Sequence, residues 1–277
     1  MNKIVSRLLT FFIGVPLVLF IVFFDYMNHL PLHITLSIFA VIGSNELYEM
    51  ISKKNKLFPK EFILISTAIL PYLSYAFILC GRSVEITPWI FVAEAIVLMA
   101  AEAFTAKTFE FSLSKFVNSI FIIFYCGFLI TFLSRMTILP DSKYIISLYL
   151  IFVFMCDSAA WFFGILFGKN NRGLIAASPN KSLVGFIGGI AGSIASGLLF
   201  KVLVPEVFTC SYINLALIGL LTSLAAIAGD LIESVLKRSC EVKDSGKLIP
   251  GRGGVLDSID SILIAAPVFY IAYTFLF

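Results

Sequence analysis

Long apolar runs alternate with short polar segments from one end of the chain to the other. Nine of these runs approach the roughly 20 residues that a helix needs to cross the hydrocarbon core of a bilayer. They lie near 8–25, 30–51, 62–80, 88–104, 116–138, 144–168, 183–204, 211–236 and 261–277. The pattern therefore predicts an all-α, polytopic membrane protein with about nine transmembrane helices.

The lysines and arginines predict the direction of these helices. If the chain crosses the membrane at each run, Arg82, Arg135, Lys143 and Lys201 fall on one side, and the other 16 of the 20 basic residues fall on the side of the N-terminus. Cytoplasmic loops carry the excess of positive charge in membrane proteins. We therefore expect a cytoplasmic N-terminus, an external C-terminus and a multi-pass location in the cell inner (plasma) membrane.

Composition supports this class of protein and excludes others. Hydrophobic residues make up 60% of the chain and charged residues 13%, whereas soluble domains have about 25% charged residues. The net charge of +3 is small and by itself says nothing about nucleic acid; the expected partners are membrane lipids, with no nucleic acid. The five cysteines include no CxxC pair, which argues against a zinc site or a disulfide framework.

The polar segments indicate where function is expected. We divide the chain into an N-terminal region, 1–140, with about five transmembrane helices, and a C-terminal catalytic region, 141–277. The longest polar stretches are the predicted cytoplasmic loops 169–182 and 237–260. The active site should lie in these two loops and in the helix ends beside them, facing the cytoplasm.

Several acidic residues lie inside or at the ends of apolar runs. An ionisable residue within a membrane helix is expensive, so it is a functional candidate by default. The residues inside the runs are Glu94, Glu102, Asp157 and Asp230. The alternative for Glu94 and Glu102 is a buried hydrogen bond to another helix. Glu46 and Glu49, near the cytoplasmic end of the second run, are interpreted as interfacial.

Two acidic clusters flank the loop 237–260. Asp230, Glu233, Ser234 and Lys237 follow a spacing that places them on one helix face. Asp257, Asp260 and Ser261 repeat the pattern at the start of the last helix. Carboxylate oxygens suit Mg²⁺, so the two clusters could share this cation.

Between the clusters, residues 243–254 are rich in Gly and Lys. Glycines let the backbone approach a ligand closely, and cations suit phosphate. The order and spacing differ from a Walker A loop. A solvated connector that binds lipid headgroups is the alternative. The carboxylates Asp230, Glu233, Asp244, Asp257 and Asp260 favour a binding site, because a connector does not need them.

At this point the residues resemble a known family. The run from Gly229 to Ser261 is similar to the C-terminal signature of phosphatidate cytidylyltransferases. The matching positions are Gly229, Asp230, Ser234, Lys237, Arg238, Lys243, Asp244, Gly253, Gly254, Asp257 and Asp260. A second segment, from Asp157 through Trp161 and Gly168-Lys169 to Ser178-Pro179-Asn180-Lys181-Ser182, also resembles the family. The resemblance is strong over about 157–261, and upstream it is mainly one of topology.

The resemblance implies a nucleotidyltransferase, phosphatidate cytidylyltransferase, which transfers CMP from CTP to phosphatidic acid in phospholipid biosynthesis. The products would be CDP-diacylglycerol and pyrophosphate. The expected catalytic residues are Asp230, Lys237, Arg238, Lys243, Asp244, Asp257 and Asp260. The expected substrate- or phosphate-binding residues are Ser178, Lys181, Ser182, Ser234, Arg252, Gly253 and Gly254. Asp230 and Asp257 are the main expected ligands of Mg²⁺, with Asp244 and Asp260 next, and the resemblance also allows a second, monovalent cation.

Four positions depart from the family's pattern, namely Leu183, Val184, Arg252 and Ser258. They leave open a divergent member that is weakly active or uses another lipid phosphate. A membrane transporter with Glu94, Glu102 and Asp157 along its path is a further alternative. It is disfavoured because the sequence shows no inverted repeat with broken helices.

Two smaller patterns allow more than one interpretation. Gly185, Gly189, Ser193 and Gly197 form a face of small residues, which suits close helix contact within the chain or in a homodimer. Ser178 and Pro179 also fit a plain helix start, with Ser at the N-cap and Pro at the first helical position. That role is compatible with phosphate binding.

Overall fold

The computed structural model describes residue 14 and residues 16–249, 251 and 253–277, and this part of the chain is all-α. Its helices are α1 (16–23), α2 (Tyr26–Ile51), α3 (Lys60–Leu79), α4 (Thr87–Thr105), α5 (Ser112–Ile122), α6 (Thr131–Met136), α7 (Ser142–Phe167), α8 (Leu183–Leu203), α9 (Tyr212–Ser239) and α10 (Leu256–Leu276). A 3₁₀ turn, Val84–Ile86, leads into α4, and a π-helical turn, Ile123–Phe128, separates α5 from α6. Within the described residues, β-structure is limited to two isolated bridges.

Eight segments of the described chain are long and apolar enough to cross a membrane. They correspond to the second to ninth predicted spans, so the predicted fold class is confirmed. The first predicted span, 8–25, lies partly outside the described residues, which include 16–23 of it as α1. The fifth span, predicted as 116–138, consists of α5, the π-helical turn and α6 and covers Ser112–Met136.

The last helix begins earlier than its apolar pattern indicates. It starts at Leu256 rather than near 261. Its first turn is polar, so the apolar run does not include it. The backbone N–H groups at this end of the helix donate hydrogen bonds to Glu46, which stabilise the turn. Asp257 and Asp260 therefore lie on the first two turns of α10. The helix α9 also extends beyond its predicted end at 236 and includes Lys237 and Arg238 in its last turn.

The helix α8 begins at Leu183, so the predicted helix start at Ser178 and Pro179 is wrong. The N-cap is Ser182, whose side chain accepts a hydrogen bond from the Gly185 N–H at 3.1 Å. A side-chain cap at this position satisfies one of the backbone donors that the first turn leaves without a partner. Ser178 instead lies in a turn, where its carbonyl accepts the Lys181 N–H at 3.1 Å.

The described residues form two compact units. The first contains the chain up to Ile138 together with Cys240–Ser258, and the second contains Leu139–Ser239 and Ile259–Phe277. Glu102 belongs to the first unit, where it accepts hydrogen bonds from Ser112 and Lys115 at 2.8–3.1 Å. The structure thus confirms the helix-to-helix interpretation for Glu102. Both Glu94 carboxylate oxygens are buried without a hydrogen-bond partner among the described residues.

In the second unit, α7 and α8 pack closely through small residues. The backbone of Gly189 lies against Cys156 and Ala160, and Gly197 lies against the Phe152 ring. The Ser193 hydroxyl donates to the Phe152 carbonyl at 2.9 Å. The predicted small-residue face is therefore used for contact within the chain, while a homodimer stays a prediction.

We expect Gly189→Val to destabilise this helix pair. A Cβ at Gly189 would lie 2.9 Å from the Cys156 carbonyl oxygen and 3.1 Å from the Ala160 Cβ, so the helices must separate. Overpacking of this kind costs about 1–3 kcal/mol. The thermal unfolding midpoint in detergent measures the loss. Ile187→Val, on the exposed side of α8, is the matched control, and an equal midpoint for the two variants would contradict the packing described.

Candidate active site

In the first unit, the Glu46 carboxylate holds the N-terminus of α10. Its two oxygens accept hydrogen bonds from the backbone N–H groups of Val255, at 3.0 Å, and Leu256, at 2.8 Å. Glu46 lies in the last third of α2 and is only 7% exposed. A negative charge at a helix N-terminus is favourable, since the first N–H groups lack partners within the helix. Glu46 is therefore a buried partner of α10, while its depth relative to the membrane interface stays a prediction.

A second carboxylate, that of Asp257, closes the loop that precedes α10. Its Oδ2 accepts hydrogen bonds from the backbone N–H groups of Ser245 and Gly254, each at 2.8 Å. The Ser245 hydroxyl lies 2.8 Å from this oxygen and 3.1 Å from Glu46 Oε2. Glu46, Ser245 and Asp257 are thus joined in one network, which ties both ends of the loop together.

The glycines of this loop make room for the two carboxylates. A Cβ at Gly246 or Gly254 would collide with the Glu46 carboxylate, and one at Gly253 would collide with Asp257 Oδ2. Gly253 also has a positive φ of 114°, which favours glycine. The sequence predicted close backbone approach to a ligand. The close approach that the structure shows is to the protein's own Glu46 and Asp257.

Three charged residues of the loop, including the predicted catalytic residues Lys243 and Asp244, lie at its surface. Lys243, Asp244 and Lys247 are exposed. Pro250 and Arg252 lie outside the described residues, and the predicted role of Arg252 stays a prediction. At the start of the loop, Glu241 pairs with Lys54 at 2.7 Å. The hydrogen bond from Lys54, reinforced by its positive charge, lowers the pKa of Glu241.

In the second unit, α9 carries two carboxylate–ammonium pairs. Asp230 pairs with Lys181, which precedes α8, and Glu233 pairs with Lys237 one turn further along α9. Glu233 is fully buried, whereas the Asp230 side chain is 38% exposed. The predicted shared face of α9 is present, and the structure adds Lys181 from the loop 169–182 to it.

Asp260, on α10, belongs to the same group of charges. It is buried, and it lies close enough to Asp230 and Lys237 for both to act on it electrostatically. One of its oxygens accepts the Ser261 N–H at 2.6 Å. The second unit therefore gathers three carboxylates and two ammonium groups, which we call the charged cluster: Asp230, Glu233, Asp260, Lys181 and Lys237.

The remaining predicted residues lie on α9, at the start of α8 and on the first turn of α10. The Arg238 guanidinium is exposed and donates to the Ala177 carbonyl at 3.4 Å, which ties the loop 169–182 to α9. Ser182 and Ser234 are buried. Among the four departures, the Ser258 hydroxyl donates to the Gly254 carbonyl at 3.4 Å. Leu183 and Val184 form the first turn of α8.

The chemistry of the charged cluster fits a hard divalent cation. Its acidic groups offer oxygen donors, as Mg²⁺ requires, and Asp230 is partly exposed. The ammonium group of Lys181 already pairs with the Asp230 carboxylate. A metal ion bound to Asp230 would compete with that ammonium group. Across the described residues, however, no three His, Cys, Asp or Glu side chains converge as a preformed metal site. The Mg²⁺ site, its ligands and the catalytic roles therefore stay predictions.

Comparison with known proteins gives one family. Residues 5–276 match the sequence profile of the Cytidylyltransferase family. The phosphatidate cytidylyltransferase of Thermotoga maritima is 42% identical over 123 residues, which are 43% of this chain and 45% of that protein. The enzyme of the same name from Bacillus subtilis is 41% identical over 118 residues, 43% of each chain. The aligned part thus spans less than half the length of these curated relatives.

We expect Gly229→Ala to disturb the charged cluster. Gly229 precedes Asp230, and a Cβ there would lie 2.6 Å from the Asp260 carbonyl oxygen and 3.0 Å from the Ser261 Cα. Because these are backbone atoms, α9 and α10 must separate, at a cost of about 1–3 kcal/mol. A lower thermal midpoint would show this. Val235→Ala, on the exposed side of α9, is the control, and a midpoint for Gly229→Ala at or above that of the control would argue against the close approach.

Proposed function

Because this chain belongs to the Cytidylyltransferase family, we propose that it transfers CMP from CTP to phosphatidic acid. The products are CDP-diacylglycerol and pyrophosphate. The observation that carries the proposal is the charged cluster, which places Lys181 and Lys237 directly beside carboxylates on α9. A reaction between two polyanions requires basic groups that neutralise the phosphates and acidic groups that hold a metal ion.

The reaction is a displacement at phosphorus. A phosphate oxygen of phosphatidic acid forms a bond to the α-phosphorus of CTP, and the bond from that phosphorus to the bridging oxygen breaks. The electron pair leaves with pyrophosphate. The attacking oxygen is already anionic near neutral pH, so no strong general base is needed. The main barrier is the repulsion between the two substrates, which fixed positive charges reduce.

The basic residues fall into two groups by their surroundings. Lys181 and Lys237 pair with Asp230 and Glu233, and we propose that they turn to phosphate oxygens when the substrates bind. Lys243 is exposed on the loop, and we propose that it contacts the nucleotide. Arg238 is also exposed, at the end of α9. We assign these four residues to the phosphates of CTP and of the lipid.

The acidic residues are proposed to hold the divalent cation. Asp230 and Asp257 are the main candidates, and Asp244 and Asp260 come next. When bound, Mg²⁺ would neutralise phosphate charge and orient the groups for in-line attack. Ser245 and Gly254 already orient Asp257 through hydrogen bonds to one of its oxygens. The transporter alternative is not favoured, because the chain belongs to a transferase family.

We expect Asp257→Asn to remove most CMP transfer. The substitution keeps an acceptor for Ser245 and Gly254 but removes the charge, and losing one electrostatic contact at a reacting phosphate costs about 100-fold or more in rate. The assay follows labelled CMP from CTP into lipid, in membranes that contain phosphatidic acid, with Mg²⁺ and with a chelator.

Asp141→Asn is the matched control, because Asp141 is exposed and has a left-handed conformation that Asn also adopts. It should leave the rate unchanged. Full activity of Asp257→Asn, or transfer that persists in chelator, would contradict the assigned role. If the unsubstituted, folded chain transfers nothing to phosphatidic acid but transfers CMP to an isoprenoid phosphate or an ether lipid, the substrate is wrong and the chemistry stands.

We also propose that the chain lies in the inner membrane with its site facing the cytoplasm. All five cysteines are within the described residues, and Cys80, at the end of α3, is exposed. The charge distribution places Cys80 outside. A membrane-impermeant maleimide should therefore label Cys80 in intact spheroplasts and not in inverted vesicles, with Cys80→Ser as the control. Labelling in inverted vesicles alone would reverse the orientation.

A further inference from the structure

Glu46 is far in sequence from the residues that it contacts. It belongs to α2, whereas its partners Ser245, Val255 and Leu256 belong to the loop before α10 and to the first turn of that helix. We propose that Glu46 is a positioning residue, which fixes Ser245, Gly246 and the segment 254–256 and thereby sets the place of Asp257. This inference rests on the proposed function only where it concerns the rate of CMP transfer.

The contacts of Glu46 require a carboxylate. Both of its oxygens accept backbone N–H groups at the start of α10, and Oε2 also lies 3.1 Å from the Ser245 hydroxyl. A glutamine would have to turn its NH₂ group toward at least one of these donors. The negative charge also faces the positive end of the α10 dipole, where it is stabilising. A glutamine, which has the same shape but no charge, therefore does not replace Glu46.

The glycines of the loop point independently to Glu46. Gly246 and Gly254 are separated by seven residues of chain, yet a Cβ on either would collide with the same carboxylate. The loop is thus wrapped around Glu46 from two sides. The same hydroxyl, that of Ser245, connects Glu46 to Asp257. A displacement of the Glu46 carboxylate would therefore alter the hydrogen bonds of Ser245 and, through them, the position of Asp257.

A neighbouring carboxylate on α2 provides a matched control. Glu49 is one turn further along the helix, its side chain is 56% exposed, and its partner is Lys60 rather than the loop. The two glutamates have the same chemistry and almost the same place in the sequence. They differ in their partners. Glu49→Gln therefore measures the effect of losing a charge on α2 while the contacts to the loop are kept.

The experiment compares Glu46→Gln, Glu46→Asp and Glu49→Gln in the full-length protein in detergent. The first measurement is the initial rate of tryptic cleavage after Lys243 and Lys247, which are exposed but need a locally opened loop to enter a protease. Because hydrogen bonds to charged groups are the strong ones, we expect cleavage of Glu46→Gln to be about tenfold faster. Glu46→Asp should be intermediate, and Glu49→Gln should match the unsubstituted protein.

The second measurement is CMP transfer per folded protein, with the thermal midpoint recorded beside it. A positioning role predicts a lower specific activity for Glu46→Gln, partly restored in Glu46→Asp. If Glu46→Gln does not fold, Ser245→Ala replaces it. That variant removes the hydroxyl that lies between Glu46 and Asp257, and its loop cleavage should rise about threefold.

The outcomes separate this inference from the proposed function. Faster loop cleavage in Glu46→Gln supports the role of Glu46 even if the unsubstituted chain transfers no CMP, and that lack of transfer would overturn the proposed function alone. Unchanged cleavage in both Glu46→Gln and Ser245→Ala overturns the positioning role. A lowered thermal midpoint with normal cleavage and normal activity per folded protein also overturns it, since Glu46 would then only stabilise the fold.

Discussion

A charged carboxylate that is buried among membrane helices is stabilised by donors, because neither lipid nor an apolar core can solvate its charge. Much of the described structure follows from this constraint. Glu46 receives two backbone N–H groups, Glu102 receives Lys115 and Ser112, and Glu233 receives Lys237. Glu46 and Glu102 each connect two helices. Glu233 pairs with an ammonium group on its own helix.

The same constraint makes the charged cluster suitable for chemistry. The pairs Asp230–Lys181 and Glu233–Lys237 keep acids and bases together at the end of α9 without a ligand. The Asp230 side chain is partly exposed, whereas Glu233 is buried with its ammonium partner beside it. The need to neutralise carboxylates in the protein thus brings lysines to the same part of the second unit, which is the observation on which the proposed roles of Lys181 and Lys237 rest.

Glycine has two different uses in this chain. On α8, Gly189 and Gly197 let the helix approach α7 until backbone and ring atoms touch, as is common where lipid offers no hydrophobic drive for helix association. In the loop before α10, Gly246 and Gly254 leave space for a side chain from α2. Both uses remove a Cβ, but the first serves packing and the second lets a loop close around a charge.

The sequence by itself determined the fold class, because span length and hydropathy are imposed by the thickness of the bilayer. It also grouped the acidic residues of α9 on one helix face, since helical spacing places those residues together locally. Only the tertiary structure decided the partners. It paired Lys181 with Asp230, identified Ser182 as the N-cap of α8, and connected Glu46 to the N-terminus of α10. Hydropathy indicates whether a segment lies in lipid, and spacing indicates which residues share a helix face. Contacts between distant segments depend instead on how the helices pack.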